Sequence, residues 1–358
     1  MTGPRTALVL GATGGFGSAA CLALLRHGWQ VRALARDPAR ASELATTWSR
    51  TQDPIWAQVQ WPRGDAMRAE DVRAAAQGTQ LIVHAVNPPG YHRWRELALP
   101  MLAHSIAAAR HSGARLVLPG NVYNFDPAEH ALIDEASPQH PVSRKGQVRV
   151  EMEQMLAAAS RDGVRSLVLR AGDFLGGHGP SSWLASAMVK PGRPLRHLVD
   201  PSLPGVGHAW AYLPDLAETL ARLADIEATL PAFECFHFAG HWLPHGDELA
   251  EAVRAASGRP DLPVSRPPWW LMRLASPFVP LLAEVLEMRY LWQQPLQLDN
   301  RKLLATLGEE PHTPLVEAVR QSLQGLGCLD TPLAMPSPAQ GVRRTTSSQK
   351  DSTRTNAG

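Results

Sequence analysis

Residues 6–17, TALVLGATGGFG, constrain the fold of this chain more than any other stretch. An unbroken apolar run (6–12) meets three glycines, Gly11, Gly14 and Gly17, and an apolar helical pattern follows at once. Such a run reads as a strand buried on both faces, the kind found in parallel sheets. Glycine at the first position permits the positive φ of a tight turn. The second glycine lets backbone approach a ligand, and the third lets the helix pack closely on the strand. The helix N-terminus then offers unpaired N–H groups and a partial positive charge. Gly11, Thr13, Gly14, Gly15, Phe16 and Gly17 are therefore the expected cradle for a dinucleotide pyrophosphate.

The alternation continues along the first half. Strands are expected at 30–36, 59–65, 79–86, 114–123 and 165–174, with helices at 17–28, 69–78, 94–113 and 146–163. Strands that are apolar throughout, separated by helices, predict an α/β fold, a doubly wound parallel sheet covered on both faces. The expected division is a nucleotide-binding Rossmann domain over 1–175 and a smaller lobe over 176–330, where Gly, Pro and Trp become frequent. The sheet also receives elements from 208–245. Two strand-to-helix passages, 208–225 and 235–258, return in that half, with Asp247 a candidate N-cap. Residues 269–292 are apolar but broken by Arg273, Glu284, Glu287, Arg289 and two prolines, and read as packed amphipathic helices. Residues 331–358 lack apolar periodicity and are rich in Ser, Thr and Arg, so a disordered tail is expected.

Composition sets the partner class. With a formal net charge of +2 over 358 residues, nothing favours nucleic acid. The tail carries Arg343, Arg344, Lys350 and Arg354 against Asp351, so the mild basicity belongs there. Cys21, Cys235 and Cys328 lie far apart with no CxxC, which reads as buried free thiols in a reducing compartment. The N-terminus has no signal-peptide layout, no run of about 18 apolar residues predicts a membrane span, and a cytoplasmic protein is expected. The 14 histidines form no HExxH pattern, so no metal is expected.

A second cofactor signal lies at the end of the second strand. An NAD site places Asp or Glu there for the ribose 2′-hydroxyl. Here the residue is Arg36, whose guanidinium can pair with a 2′-phosphate, and Asp37 follows one position late. NADP(H) is therefore favoured over NAD(H); the alternative is a merely solvated strand end.

GATGGFG, together with RGD (63–65), HAVNPP (84–89), LVLRAGDFLG (167–176) and HAWAYLPDLAETL (208–220), resembles the short-chain dehydrogenase/reductase superfamily. The resemblance is to its extended or atypical NAD-dependent epimerase/dehydratase branch and covers about residues 5–325. It implies that Asp65 contacts adenine, that Ala85, Val86 and Asn87 line the cofactor, and that Asn87 and Pro88 border the nicotinamide. The usual catalytic set there is Ser/Thr, then YxxxK. In this chain Pro119 stands at the serine position, Lys145 at the tyrosine and Arg149 at the lysine. LPGNVYN (118–124) and KGQVRVEME (145–153) are also similar to isoflavone reductase-like atypical reductases, in which a lysine is the general acid/base. That likeness implies Lys145 as proton carrier beside the cofactor. Arg149, one helical turn on, could bind the ribose but should not transfer protons. The bland reading of Lys145 is a solvated cation at a helix start.

Asn121 and Tyr123 end the fifth strand, at the sheet edge where ligands bind, and either could replace the serine as a donor. Trp183, Trp210, Tyr212 and Tyr290 are candidates for an apolar substrate pocket, with ordinary core packing the favoured reading of each. Two functions stay open. One is an oxidoreductase or epimerase/dehydratase-type enzyme acting on a small molecule. The other is an inactive NAD(P)-binding regulator or assembly factor that signals redox state to a protein partner. The long helices leave room for a homodimer.

Overall fold

The computed structural model describes residues 5–88, 94–177 and 182–329. The expected disordered tail lies outside them. In chain order the first half contains β1 (Thr6–Leu10), α1 (Gly15–Arg26), β2 (Gln30–Leu34), α2 (Pro38–Thr51), α3 (Ala69–Ala75), β3 (Leu81–His84), α4 (Trp94–Ser112), β4 (Arg115–Asn121), β5 (Leu132–Ile133), α5 (Arg144–Arg161) and β6 (Ser166–Ala171). The second half adds β7 (Asp173–Leu175), β8 (Leu198–Val199), β9 (His208–Tyr212), α6 (Leu213–Asp225), β10 (Phe233–His237), β11 (His241–Leu243), α7 (Glu248–Ser257), β12 (Val264–Ser265), α8 (Trp269–Ala275), α9 (Pro280–Glu287), β13 (Gln297–Leu298), α10 (Arg301–Leu307) and α11 (Leu315–Gly325).

The main sheet has six strands in the order β10-β6-β4-β3-β1-β2, every pair parallel. The alternation of side chains along β1 explains the layers. Ala7 and Val9 face a core built with α1 and α6, while Leu8 and Leu10 face α3, α4 and α5. Each fully buried leucine in these layers contributes about 1.5–3 kcal/mol relative to exposure. The doubly wound fold expected from the strand–helix alternation is thus the fold observed.

One strand assignment needs correction, and β10, from the stretch 208–245 expected to feed the sheet, takes its place. Residues 59–65 were expected as a strand but touch β2 only through isolated bridges, Arg32 to Gln60 and Ala35 to Arg63. Pro62 has no N–H to give, so the ladder cannot propagate. The sixth strand is instead β10. Buried Arg115 at the start of β4 secures it, donating to the carbonyls of Glu227, Leu230 and Pro231 in the turn that precedes β10. The segment after Arg36 also holds a helix, α2, whose buried face is only Ala41, Ala45 and Trp48. That thin stripe is a faint periodic signal.

The second half forms a lobe around β9, which pairs with β7 in parallel and with β11 antiparallel. Its core holds Trp210, Trp292, Tyr212, Leu175 and residues of α7 and α11. Asp247 occupies the N-cap of α7 but makes no capping hydrogen bond; the Glu248 carboxylate accepts instead from the N–H groups of His245 and Gly246. The segment 269–292 is not packed throughout as expected. No residue of α8 is buried, and Trp270, Leu271, Leu274, Phe278 and Val279 face outward. No described helix is long and apolar enough to cross a membrane. All three cysteines are buried and unpaired.

Candidate active site

The glycine loop closes where β1 ends. Gly11 has φ +83°, and a side chain there would strike the carbonyl of Ala85. A Cβ at Gly17 would collide with the Gly11 carbonyl. Gly14 is looser: its N–H donates to the Gly11 carbonyl at 2.9 Å, and a Cβ would be tight rather than impossible. Gly14 is the N-cap of α1 and supplies no side chain, so the first-turn amides keep their hydrogen-bonding capacity. No acidic residue lies in that turn. A backbone cradle that excludes side chains and offers amides at a helix N-terminus fits a pyrophosphate.

Arg36 is exposed just past β2. Asp37 is occupied elsewhere: it caps α2, its carboxylate accepting from the Arg40 N–H at 3.2 Å. Asp65 is half-buried, and its carboxylate accepts from the Met67 N–H at 3.0 Å. Ala85 and Val86 are half-buried, Asn87 is exposed and Pro88 is buried.

A small pocket of about 70 Å³ opens at the C-terminal edge of the sheet. Asn87, Trp94, Asn121, Tyr123, Arg149, Asp173 and Trp183 line it. The expected Asn87, Asn121, Tyr123, Arg149 and Trp183 are therefore brought together from β3, β4, α5 and the lobe. Arg149 is 8% exposed; it donates to the Pro119 carbonyl and to Asn87 Oδ1, each at 3.3 Å, and lies 5.0 Å over the Trp94 ring. Asn121 Oδ1 accepts from the Tyr123 N–H at 3.0 Å, which leaves its amide nitrogen as the group able to donate. Below the pocket His84 is fully buried, its Nδ1 2.8 Å from Ser105 Oγ. Burial, and then the Arg149 cation, push the His84 pKa down to about 3, so the ring is neutral.

Lys145 is placed differently. It is 5% exposed, does not line the pocket, and its ammonium forms an ion pair with Glu284 Oε2 at 2.8 Å and donates to the Glu284 carbonyl at 3.1 Å. It faces neither open water nor the pocket, but α9. The same helix takes Arg144 through Glu287. The first turn of α5 is capped by Ser143, whose hydroxyl accepts from the Gly146 N–H. Gly146 itself abuts the Tyr123 carbonyl, where no Cβ would fit.

Tyr212 and Trp210 are core residues rather than pocket walls: Trp210 is fully buried, and the Tyr212 hydroxyl donates to Gln321. Burial raises the Tyr212 pKa above its ordinary value. Tyr290 packs against a core of Val122, Phe125, Ile133 and Leu291, also away from the pocket, with burial raising its pKa to about 12.

Sequence reasoning missed Asp173 and its partner. Asp173 lines the pocket, and its Oδ2 lies 2.8 Å from His208 Nε2. His208 Nδ1 faces the Leu291 carbonyl at 3.3 Å, and the ring stacks on Trp292 at 3.9 Å. The place of Asp173, directly after a buried strand at the ligand edge, was a readable signal. Its histidine partner, 35 residues on, was not.

Residues 11–190 match the protein family described as NAD(P)H-binding. A comparison with curated proteins finds no match. Solved structures with the same fold include MoeE5 in complex with UDP-glucose and NAD (16% identity, 89% of this chain and 98% of that one, TM-score 0.65). A UDP-glucose-4-epimerase from Stenotrophomonas maltophila with bound NAD and formylated UDP-arabinopyranose gives 14%, 90%, 98% and 0.69 by the same measures. The UDP-Glc/GlcNAc 4-epimerase from Campylobacter jejuni gives 14%, 90%, 98% and 0.66.

Proposed function

The chain belongs to the NAD(P)H-binding family, and on that premise we propose that it is an NADP(H)-preferring oxidoreductase or epimerase/dehydratase-type enzyme acting on a small molecule. The observation that carries this is the pairing of a side-chain-free pyrophosphate cradle at Gly11–Gly17 with an exposed Arg36 at the end of β2. Asp37, the carboxylate that could have bound a 2′-hydroxyl, is committed to capping α2. The working division puts the cofactor on residues 1–175 and the substrate under the lobe of 176–330.

The cofactor, when bound, supplies the nicotinamide that gives or takes hydride. The residues do the rest. Arg149, held in place by Asn87 and the Pro119 carbonyl, binds the ribose side of the cofactor. Asn121, through its amide nitrogen, and Tyr123 orient the substrate oxygen, with Trp183 as an apolar wall. Lys145 is the proton carrier and acts once Glu284 yields its ammonium. The nucleotide sugars named with the neighbouring folds make a nucleotide sugar the first substrate class to assay.

A second reading, an inactive NAD(P)-binding regulator, is favoured by one observation: the Lys145 ammonium is held by Glu284, not turned to the pocket. Fluorescence titration with NADPH and NADH, followed by a turnover screen with ketones, enones and nucleotide sugars, separates the two. Enzyme predicts binding plus turnover, lost in Lys145→Ala. Tight binding with no turnover by any substrate selects the regulator. Full turnover by Lys145→Ala removes the lysine mechanism while leaving the enzyme.

A further inference from the structure

Of the ten large apolar side chains exposed among the described residues, five lie within residues 270–279: Trp270, Leu271, Leu274, Phe278 and Val279. Phe278 is 85% exposed, Trp270 69% and Leu274 65%. Trp270 and Leu274 are one helical turn apart on α8, and Phe278 continues the stripe in the turn before α9. Fractions of this size imply exposed apolar area on the order of 600 Å², at the upper end of what a monomer carries and of the size that marks an interaction site.

Charge indicates what covers it. Residues 262–283 contain no Asp or Glu, but include Arg266 and Arg273, both exposed. The acidic residues that follow, Glu284 and Glu287, turn inward to Lys145 and Arg144. Strand β12, which leads into α8, pairs with β8. Just before β8, a mostly apolar groove of about 450 Å³ is lined by Lys190, Arg193, Arg196 and His197 beside Met188 and Leu195. Residues 174–199 likewise contain no acidic side chain. The same register sets Arg266 opposite Asp200, which meets part of its charge, so Arg273 is the main exposed cation on the hairpin side.

We infer that the α8–α9 hairpin and the adjoining groove dock this protein on an anionic lipid surface. Trp270, Leu274 and Phe278 enter the headgroup boundary, and Arg273, Lys190, Arg193 and Arg196 meet lipid phosphates. This is the pattern of a helix that lies in an interface rather than spans a bilayer. Exposed cations of this kind each add to binding and are weakened by salt.

The full-length protein should co-sediment with phosphatidylcholine vesicles containing phosphatidylglycerol. Binding should fall at least tenfold with phosphatidylcholine alone, or on raising salt from 0.05 to 0.5 M. L274E/F278E should abolish sedimentation, and R193E/R273E should weaken it at least fivefold. Both variants should keep wild-type melting and NADPH affinity, since every substituted side chain is exposed. Absence of binding to the anionic vesicles overturns the inference, as does unchanged binding by L274E/F278E. So does a concentration-dependent dimer that L274E/F278E dissolves, which would make the patch a self-association face. The cofactor titration is independent, so a failed lipid test leaves the NADP(H) reading standing.

Discussion

Two places on the same sheet edge are built by different means. At the β1–α1 turn the recognition surface is backbone: Gly11 and Gly17 are set by positions where any side chain would collide. At the β4–α5 end the surface is side chain. The partner of Lys145 arrives from α9, 139 residues away. A backbone site is written locally, in spacing and φ. A side-chain site depends on which distant segment comes to rest on it. The glycine loop therefore works as a rule, whereas the state of Lys145 is a tertiary fact.

The largest effect should come from breaking the local rule. Gly17→Val places branched carbons against the Gly11 backbone, a clash worth upwards of ~3 kcal/mol, or more than about 100-fold in NADPH affinity. Titration against Gly14→Ala, where space is only tight, is the control; equal losses would mean the cradle is not what binds. The tertiary site is tested next with a double-mutant cycle. Lys145→Met or Glu284→Gln alone should each destabilise by about 3 kcal/mol, because each strands a mostly buried polar partner. The double variant should lose much less than the sum, and urea melts giving simple additivity would show that the pair is not coupled.

Acid sharpens the comparison further. His84 and His237 are held at about 3 by burial, with the cations Arg149 and Arg170 adding to it. The ordinary histidine pKa is 6.5. Above that value folded and unfolded chains are both neutral, and stability is complete. As pH falls the unfolded chain takes up the protons first, so stability drains from about pH 6.5 down to about pH 3. Each histidine contributes a slope approaching ~1.4 kcal/mol per pH unit within that window. His84→Gln should remove about one such slope from urea melts at pH 6, 5 and 4; an unchanged slope would mean His84 is not neutral in the fold. The smallest effect is at the exposed end of β2. Arg36→Ala should weaken NADPH by about tenfold and leave NADH nearly unchanged, the size of a charge-assisted phosphate contact. Equal weakening of both cofactors would refute the NADP(H) preference.

Much of the site could be read in advance, and for identifiable reasons. The fold followed from apolar strands alternating with helices, Asn121 and Tyr123 followed from the sheet-edge rule, and Arg149 followed from the resemblance at YxxxK. The errors share a cause. Residues 59–65 fell where the strand–helix alternation called for a strand, yet Pro62 stopped the ladder. Tyr212, offered as a substrate contact, is core, as Trp210 was expected to be, since aromatic content does not say which side of a strand meets solvent.

By itself the sequence determined what depends on short-range geometry: the turn that only glycine can make, the helix beginning behind it, and the order of strands and helices. The tertiary structure decided what depends on encounter. It set Glu284 against Lys145, His208 against Asp173, and β10 beside β6, and it left Trp270 and Phe278 without cover. Spacing dictates local backbone because neighbouring residues share dihedral constraints. Contacts between residues scores of positions apart are chosen by packing of the whole chain, and no local pattern encodes them.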